Sequence, residues 1–360
     1  MPLCTTLALL LLTPIFTRAQ WDIQESHTTA SLRGIANVGG GVAWASGTEG
    51  TVLRTEDGGY LWQTCATPPG AEKLDFRGIQ AFDENTAIIM SSGKGDLSRL
   101  YKTTDGCRTW KLLFTNPDKE GFWDAIKFAD RASGFLLGDP VNDSFRLWRT
   151  DDNGSTWHDQ PNRTFRADPS TQGAFAASNS ALWATNAYNP YLAWGSGGTA
   201  GAMVYSRTMF QLASGYGGGG SRYLIPVGHK TESSGIFSLC FREDEHTGLV
   251  GIAVGGDYLK PDDPAGTAAQ THDGRNWTAA QTQPHGYRSA VAYDEKAKTW
   301  ITVGPNGTDI SRDDGKNWSP LKPTASEPPD ADKNWNALSL PFVVGPDGRI
   351  GKLRGDALKP

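Results

Sequence analysis

The sequence has no surplus of basic residues. Its 360 residues include 34 lysines and arginines against 39 aspartates and glutamates, a formal net charge of -5 at pH 7. Lys/Arg clusters and runs that interleave basic and aromatic residues, which would hold a nucleic-acid backbone, are also missing. Nucleic acid is therefore not an expected partner, and binding must come from a local patch.

Ligands for metals and cofactors are scarce as well. None of the six histidines is paired at metal-site spacing, and the four cysteines are too dispersed for a zinc ribbon. Residues 215–220 match the literal G-x-G-x-x-G pattern, but no strand-to-helix context surrounds them, as a dinucleotide site would require. We predict no metal and no cofactor.

An apolar run occurs at the leading end. Residues 7–12 form an apolar core, and Thr17 and Ala19 are small residues at the two positions that a signal peptidase reads. We predict a signal peptide over residues 1–19; the alternative is a short buried strand. No later segment approaches the roughly eighteen apolar residues of a membrane-spanning helix. The expected product is a single domain over residues 20–360, secreted or periplasmic, monomeric and without a membrane span.

Apolar residues at helical spacing are missing throughout. The chain instead contains 43 glycines, 21 prolines and 13 tryptophans, a composition typical of many short strands joined by tight turns. The predicted fold class is therefore all-β.

A motif of the form S/T-x-D-x-G-x-x-W, the Asp box, repeats along the chain. Three copies are complete; a fourth has Cys107 at the glycine position, and a fifth is one residue short. The motif is a turn device, because the aspartate caps backbone N–H groups, glycine adopts a conformation that other residues avoid, and tryptophan anchors the next strand. The box aspartates are therefore predicted to be structural: Asp57, Asp105, Asp152, Asp273 and Asp313.

The boxes recur at about the length of a four-stranded blade, with one long gap in which a box has been lost. Upstream of each box position runs an apolar strand opening, and we count seven such openings. They lie at residues 32–35, 76–79, 123–126, 174–177, 236–239, 287–290 and 335–338. We predict a seven-bladed β-propeller whose ring is closed by an N-terminal strand over residues 21–24, which removes the free sheet edges.

The innermost strands of a propeller line its central channel, and the loops at one mouth form the usual binding surface. The residue before the small one in each opening is, in chain order, Arg33, Arg77, Asp124, Phe175, Phe237, Arg288 and Asn336. Three arginines and an asparagine on neighbouring blades would form an arc for a carboxylate or phosphate, bounded by Asp124. In the alternative reading, the arginines fasten blades together. Asp257 and Tyr258, at a probable strand end, complete the candidate ligand-binding set.

Three cysteines remain once Cys4 has left with the signal peptide. Cys65 and Cys107 occupy similar points of successive repeats and could form a disulfide in an oxidising compartment; the alternative is two free thiols. Cys240 lies in an apolar strand and suits an inert buried thiol.

The mature chain over residues 20–355 resembles the exported seven-bladed propellers related to the photosystem II stability and assembly factor. The resemblance rests on the boxes and on segments such as 121–124, 138–141, 173–178 and 254–258. It implies a non-enzymatic protein that holds a protein client, or another anionic ligand such as a small molecule or glycan, through an arginine-rich patch.

Asp boxes also occur in sialidases, so the alternative function is a sialidase-like glycoside hydrolase or lyase. Asp124, Asp139 and Asp257 are the carboxylates that such an enzyme would use, since retaining hydrolysis needs two carboxyls close together. No residue is assigned a catalytic role from the sequence.

Overall fold

A computed structural model describes residues 20–160, 165–185, 191–208, 220–244, 248–324 and 327–359. The predicted signal peptide lies outside these ranges, as do Cys4 and residues 215–219. Within them the chain is all-β, apart from one turn of 3-10 helix over Gly95–Leu97. No helix in these ranges is long and apolar enough to span a membrane.

The described chain begins with a strand, β1 (Trp21–Gln24), whose sheet is completed only at the other end of the chain. Three four-stranded antiparallel blades then follow in chain order. Blade 1 contains β2 (Leu32–Gly39), β3 (Val42–Gly47), β4 (Val52–Thr55) and β5 (Gln63–Thr64). Blade 2 contains β6 (Phe76–Ala81), β7 (Ala87–Ser91), β8 (Arg99–Thr103) and β9 (Lys111–Thr115). Blade 3 contains β10 (Trp123–Phe128), β11 (Gly134–Val141), β12 (Ser144–Thr150) and β13 (His158–Asp159).

Blades 4 to 6 repeat the same order. Blade 4 contains β14 (Leu182–Thr185), β15 (Tyr191–Gly195), β16 (Met203–Thr208) and β17 (Ser221–Leu224). Blade 5 contains β18 (Ser234–Asp244), β19 (Gly248–Asp257), β20 (Ala268–Thr271) and β21 (Thr278–Ala279). Blade 6 contains β22 (Ala290–Asp294), β23 (Thr299–Gly304), β24 (Gly307–Ser311) and β25 (Ser319–Pro320).

The two ends of the chain build blade 7 together. Its strands are β26 (Ala337–Ser339), β27 (Phe342–Val344) and β28 (Ile350–Leu353), and β1 adds as the fourth strand by pairing antiparallel with β28. Trp21 is buried and packs against Trp335, with ring centroids 5.9 Å apart. The predicted closure of the ring by an N-terminal strand is confirmed.

Among the described residues, the core is divided into seven apolar clusters, one at each contact between neighbouring blades. Blades 1 and 2 share the cluster around Trp44 and Phe76, and blades 7 and 1 share the one that joins Phe342 and Ile350 to Leu32. Every blade thus packs on both neighbours, which makes the seven sheets a closed propeller.

The five predicted boxes share one hydrogen-bonded turn. In each, the Ser or Thr hydroxyl donates to the aspartate and accepts from the backbone N–H of the glycine or cysteine position, as Thr150 does with Asp152 and Gly154 at 2.8 and 3.0 Å. Side-chain and backbone hydrogen bonds from Thr156, joined by one from Thr150, lower the pKa of Asp152 to about 2. These aspartates are bound by their own turns.

Cys107 takes over the glycine position of its box with φ of 64° and forms a disulfide with Cys65. The bond joins blade 1 to blade 2 and decides the alternative that the sequence left open. Cys240 is a free thiol, and burial raises its pKa to about 11.

Candidate ligand-binding cavity at the channel mouth

β-bulges direct four equivalent side chains toward the channel. In blades 1, 2, 3 and 5 the register between the innermost strand and its neighbour skips one residue, and the skipped residues are Arg33, Arg77, Asp124 and Phe237. A bulge leaves its extra residue unpaired and re-aims the side chain. The sequence pattern of one larger residue before a small one therefore marks a bulge.

These bulges open into a cavity of about 480 Å³ at the mouth. The strands alternate in direction, so the starts of the innermost strands lie at the end of the ring opposite the boxes. Three chemically distinct groups line the wall. Arg33 and Arg77 form the basic side, Asp124, Asp139 and Glu232 form the acidic side, and Phe175, Phe237, Tyr258 and Tyr287 form the aromatic side.

The basic side consists of two guanidiniums that share one carboxylate. Asp75 Oδ2 accepts from Arg77 Nε at 2.7 Å, and Asp75 Oδ1 lies 3.5 Å from Arg33 Nε. Burial and the positive charge of Arg77 lower the pKa of Arg33, although a guanidinium remains charged at neutral pH. Because one negative charge faces two positive ones, this side has a positive surplus.

The acidic side contains two carboxyls held away from water. Asp124 is 1% exposed, and its pKa is raised well above the usual range by burial and by the neighbouring Asp139 carboxylate, while Arg77 opposes the rise. Burial raises the pKa of Asp139 to about 6, although Asp139 Oδ1 accepts from the Ala174 backbone N–H at 2.9 Å. At least one of the two carboxyls therefore stays protonated at pH values well above the usual pKa of a carboxyl group.

The aromatic side is a contiguous set of rings from blades 4 to 6. Phe175 stacks on Phe237 with centroids 4.0 Å apart, and Tyr287 packs edge-on against Phe237 at 4.7 Å. Tyr258, which also lines the cavity, is 49% exposed. An apolar side chain of a ligand can pack on this surface.

An irregular segment of blade 4, residues 174–180, contacts blades 2 and 3 beside the cavity. Asn179 Oδ1 accepts from the Ile126 N–H in blade 3 at 2.8 Å, and Asn179 Nδ2 donates to the Ile79 carbonyl in blade 2 at 3.2 Å. Arg77 Nη1 donates to the Ala176 carbonyl at 3.2 Å. Since blade 2 is not a neighbour of blade 4, the segment reaches past blade 3 on the channel side of the ring.

This placement corrects part of the predicted repeat. Three of the seven expected strand openings begin before their strands, because β14 begins at Leu182, β22 at Ala290 and β26 at Ala337. Only the opening of blade 4, residues 174–177, lies wholly outside its strand.

Arg288 does not join the other two arginines. It is fully buried, donates from Nε to Asp309 Oδ2 at 2.9 Å and from Nη1 to Asn306 Oδ1 at 2.6 Å, and is not part of the cavity wall. The expected arc of three arginines therefore contains two. Arg288 is instead a structural residue whose hydrogen bonds to Asp309 and Asn306 lie within blade 6.

Asp257 also turns away from the cavity. It is 3% exposed and accepts from Leu259 N and Thr231 Oγ1 at 3.1 and 3.2 Å. Burial opposes its ionisation, but hydrogen bonds from Ser233, Leu259 and Thr231 keep its pKa below the usual range. Tyr258 does line the cavity, as does Asn336, whose Nδ2 donates to the Leu32 carbonyl at 2.8 Å and ties blade 7 to blade 1.

Sequence reasoning missed Asp75, Glu232 and Tyr287, and it named Phe175 and Phe237 as mouth positions without a binding role. Asp75 stands two residues before Arg77, where alternate residues of a strand share a face, so the pattern contained a signal for it. Glu232 lies in the loop before β18, and no sequence pattern indicated that it would line the cavity. In the described ranges, no group of three or more His, Cys, Asp or Glu side chains is arranged to hold a metal ion.

No protein-family model and no curated protein matches the sequence. Solved structures do. YCF48 bound to a D1 peptide matches with a TM-score of 0.63 and 18% identity over 95% of this chain and 99% of that chain. The fold is that of YCF48. YCF48 from Cyanidioschyzon merolae matches with a TM-score of 0.61 and 17% identity, over 94% of this chain and 100% of that chain. The likeness to YCF48 extends over nearly the whole ring and, at this identity, establishes the fold.

Proposed function

We propose that this protein is a non-enzymatic binding or assembly propeller that holds a segment of a client protein at the channel mouth. The observation that carries the proposal is the basic side of the cavity, where Arg33 and Arg77 share the single carboxylate of Asp75. A guanidinium fork binds a carboxylate in a planar, two-point geometry. The adjacent aromatic side suits an apolar neighbour of that acid.

The likeness to YCF48 supports the proposal at the level of the fold. YCF48, which has the same fold, is described with a bound D1 peptide, and we extend peptide binding to this chain as a proposal. The closed ring leaves no blade without a partner, so we expect a monomer, which light scattering measures directly.

Export belongs to the same proposal. The leading apolar segment has the features of a signal peptide, and the disulfide between Cys65 and Cys107 suits an oxidising compartment. These two features support the proposal of a secreted or periplasmic location.

The test uses a fluorescent, end-blocked peptide that contains adjacent Glu and Phe residues, and a matched peptide with Gln in place of Glu. We expect the native protein to prefer the Glu peptide, and Arg33→Gln and Arg77→Gln each to weaken its binding by about tenfold or more, since a hydrogen bond to a charged group contributes roughly 1.5–3 kcal/mol. Arg131→Gln is the control, because Arg131 lies in the β10–β11 hairpin at the opposite end of the ring. Equal affinity of the native protein and both mouth variants would refute the proposal.

A second candidate, a sialidase-like hydrolase or lyase, rests on one observation. Asp139, with its raised pKa, lines the same cavity as Glu232, Tyr258 and the two arginines, and a general acid with a raised pKa is what glycoside hydrolysis uses. Against it, burial raises the pKa of Tyr287 far above its usual range, which disfavours that phenol as a nucleophile. Release of 4-methylumbelliferone from its sialoside, abolished by Asp139→Asn, would establish this candidate in place of the binding function.

A further inference from the structure

One group in the cavity wall is not accounted for by the fold. The Asp124 carboxyl is 1% exposed, and its Oδ2 has no hydrogen-bond partner among the described residues. Burying a polar group without a partner costs about 1–3 kcal/mol. The unpartnered carboxyl of Asp124 therefore costs stability, and a ligand in the cavity that donates to it would recover this cost.

The nearby cation does not satisfy this carboxyl. Arg77 acts on Asp124 through its charge, but its Nε is bound to Asp75 and its Nη1 to the Ala176 carbonyl. No ion pair joins Arg77 to Asp124 within the described ranges. Asp139, the second carboxyl on this side, adds negative charge when it ionises.

We propose that Asp124 and Asp139 form a subsite for a positively charged side chain of the ligand, a lysine ammonium or an arginine guanidinium. Such a group supplies the donors that Asp124 Oδ2 lacks, and it neutralises the repulsion between the two carboxyls. The buried position strengthens the attraction, because fewer water molecules compete for the charges.

This inference rests on the proposed function and specifies its ligand. Arg33 and Arg77 would hold a carboxylate while the acid pair holds a cation, so the cavity is complementary to a client segment that carries both charges. A purely acidic segment would leave Asp124 without a partner, which makes charge pairing a source of specificity.

The experiment uses end-blocked peptides that contain one Glu and one Lys, separated by no, one or two alanines, each with a matched peptide in which norleucine replaces Lys. We expect the best-spaced Lys peptide to bind the native protein about tenfold more tightly than its norleucine partner, since the ammonium forms a charge-assisted hydrogen bond. In Asp124→Asn this Lys preference falls to about one, while the preference for Glu over Gln at the arginines persists.

Two variants keep the result interpretable. Asp139→Asn tests the second carboxyl and replaces Asp124→Asn should the latter fail to fold. Asp257→Asn is the matched control, because Asp257 is an equally buried aspartate that lies outside the cavity wall. It should leave the Lys preference unchanged.

Proton release provides an independent readout. The charged or titratable groups facing Asp124 are Asp139 and Arg77, while Arg33, Glu232, Tyr258 and Tyr287 line the rest of the cavity. A bound ammonium should expel a proton from the acid pair into the buffer. Titration calorimetry near pH 6, in two buffers of different ionisation enthalpy, should then show proton release for the Lys peptide and none for the norleucine peptide.

Equal binding of Lys and norleucine peptides by the native protein would overturn the acidic subsite, as would a Lys preference that survives in both Asp124→Asn and Asp139→Asn. Neither outcome affects the arginine site, whose failure is recognised separately by loss of the Glu preference.

Discussion

Arg77 donates from Nε to Asp75 Oδ2 at 2.7 Å, yet its side chain remains 28% exposed at the cavity. Arg288, which the sequence pattern places at the equivalent point of blade 6, is fully buried against Asp309. One repeat position thus serves two purposes. A bulge in the innermost strand turns Arg77 to the cavity. Arg288 lies just before its strand, outside any such bulge.

Arg288→Gln should therefore lower the free energy of unfolding by about 3–5 kcal/mol, because it removes the guanidinium from the buried Asp309 carboxylate and leaves it with His285. Arg77→Gln should change it by less than about 1 kcal/mol, as is usual for a partly exposed ion pair. Urea denaturation measures both. Equal destabilisation by the two substitutions would mean that Arg77 is scaffold.

Asp139→Asn should stabilise the fold in a pH-dependent way. The pKa of Asp139 is raised to about 6 in the folded chain, above its value in the unfolded chain, so the native protein loses stability as the pH rises through about 6. Asn does not titrate. The melting temperature of the variant should thus exceed that of the native protein at pH 7.5, and the difference should shrink toward pH 4.

A difference that stays constant across this range would contradict the assigned pKa. Asp152→Asn is the opposite control, because the pKa of Asp152 is lowered to about 2. At pH values above the pKa of an aspartate in the unfolded chain, the Asp152 side chain stabilises the box. That contribution is lost as the pH falls toward 2.

The disulfide should contribute about 4 kcal/mol to the free energy of unfolding, since it closes a loop of 42 residues in the unfolded chain. Reduction of the native protein, or the double substitution of Cys65 and Cys107 by Ser, should remove this amount. Cys240→Ala should retain the response to reductant. If reductant leaves the free energy of unfolding of the native protein unchanged, the disulfide does not form in solution.

Export predicts a defined mature terminus. Mass spectrometry of the protein purified from the cell envelope or medium of its host should find Gln20 as the first residue, because cleavage is expected after Ala19. A chain that retains residues 1–19 would instead support the alternative of a short N-terminal strand.

The sequence was sufficient for the architecture because the determinants of a propeller are local. Each box fixes its own turn through residues within seven positions, so even the copy with Cys107 in place of glycine keeps the hydrogen bonds of the others. Closure by β1 was predictable because the last repeat lacked an outer strand and the N-terminus resembled one.

The site was predictable only in part, because the final position of each side chain depends on contacts between residues that are distant in the sequence. Arg33, Arg77 and Asp124 follow from the bulge pattern, whereas the burial of Arg288 depends on Asp309 and Asn306, which no local pattern links to it. The position of residues 174–177 in the cavity wall likewise depends on Asn179, which bonds to blades 2 and 3. Such long-range partners are not encoded in repeat spacing.

Site-specific photo-crosslinking in the native host tests most directly whether the cavity at the mouth holds a client segment. Tyr258, at the cavity rim, is replaced by a photoreactive phenylalanine analogue, and Tyr60, which is 91% exposed in a box turn at the opposite end, serves as the control position. If the cavity holds the client, a defined client adduct forms at position 258 and disappears when Arg33 and Arg77 are both replaced by Gln. The same adduct at both positions, or an adduct at position 258 that persists without the two arginines, would contradict it.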